Sequence, residues 1–228
     1  MFNGFSEETI QFFLDIRFNN NQEYFNQNKE RYKQARDEFC LLIDSLAENI
    51  LNIDSKIDIR PHKCLARIRR DARYYKNQDP YRDHMWFLFK RPSKERLGSP
   101  FFWFELSIEK ATCGAGLWGE YKPFYDVLRQ NIIKDPLTLE KLLMDLQHDG
   151  YTYYGSTLKR IKVPDFIPSS LKDIYKSKSL YFSKDLDPYS IVFTKDLLPY
   201  LINEYNNLAQ YYHYCRHIVD IVNKQNNQ

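Results

Sequence analysis

The segment Phe101-Phe-Trp-Phe-Glu-Leu-Ser-Ile-Glu109 ends in a strict alternation of apolar and polar side chains. From Phe104 onward every second residue is apolar, and the residues between them, beginning with Glu105, are polar. This period of two is typical of a strand with one buried face. A second apolar run, Met85-Trp-Phe-Leu-Phe89, lies upstream, and the prolines and glycine between the two runs indicate a loop. Because no helix of crossover length separates the two strands, we predict antiparallel pairing.

Further extended structure is predicted around these strands. Residues 65–109 as a whole are interpreted as sheet, and Tyr151-Thr-Tyr-Tyr154 is another candidate strand. The glycines of Cys113-Gly-Ala-Gly-Leu-Trp-Gly119 favour a strand end or a bulge. This segment lacks the lysine of a phosphate-binding loop, so we interpret it as structural.

Amphipathic helices are predicted before and after the sheet. Ser6 is a suitable cap for a first helix, and a second helix is predicted from Asn20 to about residue 52, with apolar side chains at the helical period from Tyr32 onward. Asn20 and Glu23 stand in the capping-box relation. Asp135-Pro136 is a good start for a later helix. The segment from Asp196 carries a long apolar stripe, which we predict to pack within the chain, with a coiled-coil seam as the alternative.

Together these patterns predict an α+β fold in which a mostly antiparallel, aromatic-rich sheet packs with N-terminal and C-terminal helices. The chain has 228 residues, of which 43% are hydrophobic and 16% aromatic, and we predict a single domain over residues 1–228. Its four cysteines are dispersed, which favours reduced thiols. No signal peptide and no apolar run of about 20 residues is visible, so we expect a cytoplasmic protein with no membrane contact.

Positive charge is concentrated in residues 60–82. This stretch contains eight Lys or Arg and two Asp, a net charge of +6, whereas the whole chain carries +3. The remaining residues are therefore net negative. A near-neutral chain of this kind is unlike proteins that coat nucleic acid with their whole surface. The local excess predicts a local site for an anion.

The motif Arg67-Ile-x-Arg70-Asp71-x-Arg73-Tyr74-x-Lys76-x-x-x-Pro80-Tyr81-Arg82 resembles the signature of domain-of-unknown-function family 2461. This is a family of bacterial and fungal proteins described as conserved hypothetical proteins. Tyr24-Phe25-x-x-Asn28-Lys29-x-x-Tyr32, Gly114-Ala-Gly116-Leu-Trp118 and Leu158-Lys159-Arg160 fit it as well, so the resemblance spans nearly the whole chain.

The chain departs from the family pattern at three positions of the motif. Asn77 and Gln78 stand where the family has Asp-Lys, and Tyr74 replaces Phe. The missing lysine removes one charge from the motif. The resemblance implies a fold and the position of a site, and it implies no activity.

Several guanidinium groups converge in this motif under either local conformation. If Leu65–Arg73 is a strand, Arg67 and Arg69 project from one face and Ile68 from the other. If it is a helix, Arg69 clusters with Arg70 and Arg73. The forked donors of arginine match phosphate and carboxylate oxygens.

We therefore predict an anionic small molecule as the favoured partner, with nucleic acid as a further possibility and no cofactor. In this site the arginines would bind the anion, and Asp71 would orient Arg70 or Arg73. The tyrosines of the motif offer stacking surfaces for bases. The predicted ligand-binding residues are Arg67, Arg70, Asp71, Arg73, Lys76, Tyr81, Arg82, Lys159 and Arg160.

Two alternatives stay open. In the first, the arginine motif is a structural ion-pair network, and the C-terminal stripe meets a partner protein. In the second, carboxylates beside the arginines serve a metal-dependent nuclease or phosphoester hydrolase. The residues considered for these roles are Asp71, Asp79, Glu105, Glu109, His62 and His84. Whether the chain is an enzyme, and its oligomeric state, are left open.

Two patterns of possible metal ligands occur, His62-x-Cys64 and His213-x-Cys215-x-His217. The second places both histidines on one helical face, the spacing of a helical zinc site. Cys215, however, falls on the apolar stripe, and no matching pair of ligands lies nearby. We predict no metal site.

Overall fold

The computed structural model describes residues 2–74, 78–92 and 98–226. It is an α+β structure with a five-stranded antiparallel sheet and an aromatic-rich core, which confirms the predicted fold class. The strands are β1 (His84–Lys90), β2 (Phe101–Ser107), β3 (Ala111–Leu117), β4 (Thr152–Tyr154) and β5 (Leu180–Asp185). Their order in the sheet is β1-β2-β3-β5-β4.

Helices precede, interrupt and follow these strands in the chain. The α-helices are α1 (Glu7–Phe18), α2 (Gln22–Gln27), α3 (Lys29–Ile53), α4 (Pro61–Cys64), α5 (Lys122–Lys134), α6 (Pro136–His148), α7 (Lys172–Lys176) and α8 (Leu197–Asn226). Two short 3-10 helices cover Ser169–Leu171 and Tyr189–Phe193. Among the residues described here, no helix combines the length and the apolar character needed to cross a membrane.

The chain divides into two compact units. The first consists of Met1–Phe89, Trp103–Cys113 and Asp185–Glu204. The second consists of Lys90–Phe102, Gly114–Lys184 and Tyr205–Gln228. The single domain over residues 1–228 stays a prediction.

The core of the first unit is built from phenylalanine rings. Ser6 caps α1 as predicted, because its hydroxyl accepts the Thr9 N–H at 3.3 Å. The predicted apolar stripe of α3 is buried, from Ala35 to Ile50. Phe104 of β2 lies within 6.3 Å, between ring centroids, of Phe5, Phe39 and Phe87.

The predicted long helix from Asn20 is wrong in two details. It is interrupted at Asn28, where the backbone leaves the helical region (φ −109°, ψ 22°) and the side-chain amide donates to the Tyr24 carbonyl. The cap of α2 is Asn21, which accepts the Tyr24 N–H at 2.9 Å. The Asn20 side chain binds the backbone of Tyr81 instead, donating to its carbonyl and accepting its N–H, both at 2.9 Å.

The paired bonds between Asn20 and Tyr81 predict a specific loss of stability. In Asn20→Ala the Tyr81 N–H loses its acceptor in a half-buried site, and we expect the free energy of unfolding to fall by about 2 kcal/mol. Asn20→Asp keeps that acceptor and loses the donor, so it should cost less. Urea denaturation measures both. The control is Asn19→Ala, an exposed neighbour, and an equal loss in that variant would contradict the assignment.

Helix packing in the second unit follows the predicted pattern. Asp135 caps α6, accepting the Thr138 hydroxyl at 2.6 Å, and the chain turns at Gly150 with a φ of 87°. Ring centroids of Phe102 and Tyr212 lie 4.7 Å apart. The apolar stripe of α8 is buried within the chain, so packing is confirmed and an exposed coiled-coil seam is wrong. Its buried residues include Leu201, Tyr205, Leu208, Tyr212, Cys215, Val219 and Val222.

The strand predictions need three corrections. Ala111–Leu117 is a complete strand buried at every position, although its glycines predicted a strand end or bulge. β2 ends at Ser107, so Glu109 lies beyond the strand. The described residues of 65–74 and 78–83 form isolated bridges rather than continuous sheet. The predicted strand at Tyr151–Tyr154 is confirmed as β4, which pairs antiparallel with β5.

Candidate functional site

The basic stretch lies in the first unit, beside the edge strand β1. After α4 the chain is extended, and single antiparallel bridges join Leu65 to Phe87 and Arg69 to Tyr81. A turn follows the bridge at Arg69, over residues 72–74. Leu65–Arg73 is therefore neither the continuous strand nor the helix that the sequence offered. Lys76 lies outside the described residues.

Alternation in this extended segment separates its side chains. Ile68 is buried, whereas Arg67 and Arg69 are exposed, which is the arrangement expected for a strand. Neither guanidinium group forms a hydrogen bond or an ion pair with any described residue. Two positive charges thus project side by side into solvent.

Arg82 adds a third charge at this position. Its Nη1 donates to the carbonyl of Arg67 at 2.8 Å and to that of Arg69 at 3.3 Å. Its guanidinium lies 4.8 Å from the ring centroid of Trp86, a cation–π distance. The Arg82 guanidinium is thus held at the backbone of the other two arginines.

Arg70 and Tyr81 hold the loop between them. The Arg70 Nη1 donates to the Asp79 carbonyl at 2.8 Å and also to the Tyr81 carbonyl. The Tyr81 ring is buried and stacks on Phe25, with centroids 4.1 Å apart and planes 9° from parallel. The bonds that Arg70 makes with described residues thus go to backbone carbonyls that close the loop.

Asp71 orients Arg73, one of the two arginines that the sequence offered. The Arg73 Nη2 lies 2.6 Å from Asp71 Oδ2, and the Arg73 backbone N–H also donates to this carboxylate. The hydrogen bond that Arg73 donates to the Asp71 carboxylate raises the pKa of Arg73. Both side chains are exposed, so solvent screens the pair and it adds little to stability.

Lys159 and Arg160 belong to the second unit. They are exposed and follow Leu158, whose N–H donates to the Lys176 carbonyl at 2.8 Å. These two predicted ligand residues therefore belong to a second basic segment of the chain, distinct from residues 60–82.

A cluster around Arg17 was not predicted from the sequence. Arg17 of α1 pairs with Asp83 at 2.5 Å and also with Glu109. Burial opposes ionisation of Asp83, but hydrogen bonds from Arg17 and His84 outweigh it and lower its pKa. The hydrogen bond from Arg17 likewise lowers the pKa of Glu109. These contacts join residues 66 and 92 positions apart, so no local pattern indicates them.

The predicted scaffold network differs from the observed contacts. Glu109 pairs with Arg17 rather than with an arginine of residues 60–82. Glu105 makes no hydrogen bond or ion pair with a described residue. Backbone carbonyls, rather than these carboxylates, accept the hydrogen bonds of Arg70 and Arg82.

The two patterns of possible metal ligands lie as follows in the structure. The Cys64 thiol is buried and donates to the Asp58 carbonyl at 3.1 Å, and burial raises its pKa to about 12. Cys215 is buried, whereas His213 and His217 are exposed on the other side of α8. Within the described part of the chain, no three His, Cys, Asp or Glu residues lie where they could hold a metal ion.

Comparison with known proteins identifies the family of this chain. The family described as "Conserved hypothetical protein (DUF2461)" matches residues 8–214. No curated protein and no solved structure matches the chain. The match covers the arginine motif, the sheet and most of α8. The chain therefore belongs to domain-of-unknown-function family 2461.

Proposed function

We propose that this protein binds a small phosphate- or carboxylate-bearing anion through Arg67, Arg69 and Arg82. The observation that carries the proposal is the side-by-side exposure of Arg67 and Arg69, neither bonded to a described residue. The backbone of the same two residues holds Arg82 beside them. Placing like charges together is unfavourable, so a bound oxyanion would supply a counter-charge to Arg67 and Arg69.

The chemistry of the three side chains favours an oxyanion over other ligands. A guanidinium presents paired N–H donors in a planar fork that fits two oxygens of a phosphate or carboxylate. Two carboxylates of this part of the chain are bound to other arginines, Asp71 to Arg73 and Asp83 to Arg17. The cytoplasmic location stays a prediction.

Arg69 replaces Arg70 at the centre of this proposal. The sequence-based set included Arg70, whose donors go to loop carbonyls, and omitted Arg69. The bridge between Arg69 and Tyr81 fixes the extended backbone that turns the Arg69 side chain outward. The alternation Arg67-Ile68-Arg69 is the signal that identifies it once the segment is known to be extended.

The test is titration of the purified protein with phosphate, sulfate, nucleoside monophosphates and a tricarboxylate. We expect at least one anion to bind and the double variant R67A/R69A to bind it about tenfold or more weakly. The melting temperature without ligand should stay unchanged, because both side chains are exposed and unbonded. Saturating ligand at a hundredfold excess over Kd stabilises by about 2.7 kcal/mol, which a thermal shift detects.

The control removes two other exposed cations of the first unit and leaves the partner of Asp71 in place. K56A/K63A lowers the net charge equally and should leave binding nearly unchanged. Equal weakening in both double variants would show a diffuse electrostatic effect and overturn the proposed site. Failure of every anion to shift the melting temperature at low salt would also overturn it.

A further inference from the structure

The second unit exposes aromatic rings on its strands and directly after one of them. Tyr154 of β4 and Tyr181 of β5 are register partners, and their rings stack at 5.8 Å with planes 15° apart. Tyr154 is 46% exposed, and Trp118, directly after β3, is 65% exposed. We call Trp118, Tyr154 and Tyr181 the aromatic platform.

Gly116 brings β3 close to the strand that carries Tyr181. An added Cβ at Gly116 would fall 2.5 Å from the Tyr181 Cα. The exposed Trp118 follows Gly116 by two residues, so it is attached to the strand that pairs directly with β5.

Positively charged residues come shortly after Tyr154 of the aromatic platform in the chain. Lys159, Arg160 and Lys162 are exposed, and none forms a hydrogen bond or ion pair with a described residue. A bridge between Thr157 and Ser177 extends the pairing of β4 with β5 towards this segment. The basic segment, Lys159–Lys162, is thus attached at the end of the ladder that carries the two stacked tyrosines.

Two acidic side chains, Glu120 and Asp173, are paired with lysines that directly precede β5. Glu120 lies 2.5 Å from the Lys178 ammonium, and Asp173 lies 3.7 Å from that of Lys176. The three cations of the basic segment therefore remain without a carboxylate partner in the described structure. A ligand for this surface needs flat rings for the platform and negative charges for the basic segment.

We propose that this surface binds single-stranded nucleic acid, with bases stacked on the aromatic platform and phosphates held by the basic segment. Exposed aromatic rings beside a basic track are the usual means of binding unpaired strands without base-specific contacts. A duplex keeps its bases stacked internally and cannot use the platform. A neutral sugar polymer would leave the cations uncompensated. This site lies in the second unit and does not depend on the anion site of the first.

The test is fluorescence anisotropy of the full chain with labelled oligo(dT) and oligo(U) of about 12 nucleotides. We expect Tyr154→Ala and Trp118→Ala each to weaken binding about tenfold, and Tyr154→Phe to retain it. If Tyr154→Ala does not fold, Trp118→Ala still tests whether the aromatic platform contributes to binding. Phe18→Ala removes an exposed ring elsewhere and should have no effect.

A salt titration tests the role of the basic segment. K159A/R160A should reduce the slope of log affinity against log salt by about 1.4, because each phosphate contact to a single strand contributes about 0.7. Lys141→Ala, an exposed lysine of α6, should leave the slope unchanged. Equal affinity for duplex DNA, loss of binding only in R67A/R69A, or no effect of the platform variants would overturn the proposal.

Discussion

Replacing Phe104 by alanine is expected to lower the free energy of unfolding by about 4 kcal/mol, the largest effect that we predict for a single substitution. Phe104 is fully buried on β2. Its ring centroid lies 5.6 Å from that of Phe87 and 6.0 Å from that of Phe5. The substitution removes a large apolar surface from the core and leaves a cavity lined by other rings that cannot close around it.

Urea denaturation followed by circular dichroism measures this loss. Phe104→Leu fills most of the space and should cost clearly less than Phe104→Ala. Phe18→Ala removes the same ring from a site that is 76% exposed and should change stability by no more than about 0.5 kcal/mol. A loss below about 1.5 kcal/mol in Phe104→Ala would mean that the first unit does not depend on this cluster of rings.

Gly116→Ala is expected to destabilise the protein by about 3 kcal/mol, from two causes. The φ of Gly116 is 151°, which side chains rarely adopt. The added Cβ would also lie 2.5 Å from the Leu180 carbonyl oxygen and from the Tyr181 Cα. Both atoms are backbone of β5, so the clash is relieved only by moving the strand.

Gly150→Ala separates these two causes. Gly150 has a φ of 87°, but the nearest atom to its added Cβ is the flexible Lys184 Cε at 3.7 Å. This variant should show the conformational cost alone, about 1 kcal/mol. Equal losses in the two variants would mean that β5 shifts freely. Gly116→Ala should in addition weaken oligonucleotide binding at temperatures where it is folded, because Tyr181 moves with the strand.

Interactions between near neighbours in the chain were predictable. Ser6 caps α1 and Asp135 caps α6, each through a group three residues away. The amphipathic period of α3 and the alternation from Phe104 correctly assigned the buried faces, since both depend on backbone geometry that repeats along the chain. β3 shows the limit of such reasoning. Its glycines disfavour a strand in isolation, yet close approach to β5 requires one of them.

In the candidate anion site, too, one part was predictable from the sequence and another part depended on tertiary structure. The sequence by itself determined that residues 60–82 carry the excess positive charge, because net charge depends only on composition. Which arginines remain available was decided by tertiary structure. The loop brings the Asp79 carbonyl to Arg70, and β1 brings Arg82 to the backbone of Arg67. A guanidinium bonds to whichever acceptor the fold places within reach. Because every residue has a backbone carbonyl, the amino-acid sequence does not show which of them will accept the bond.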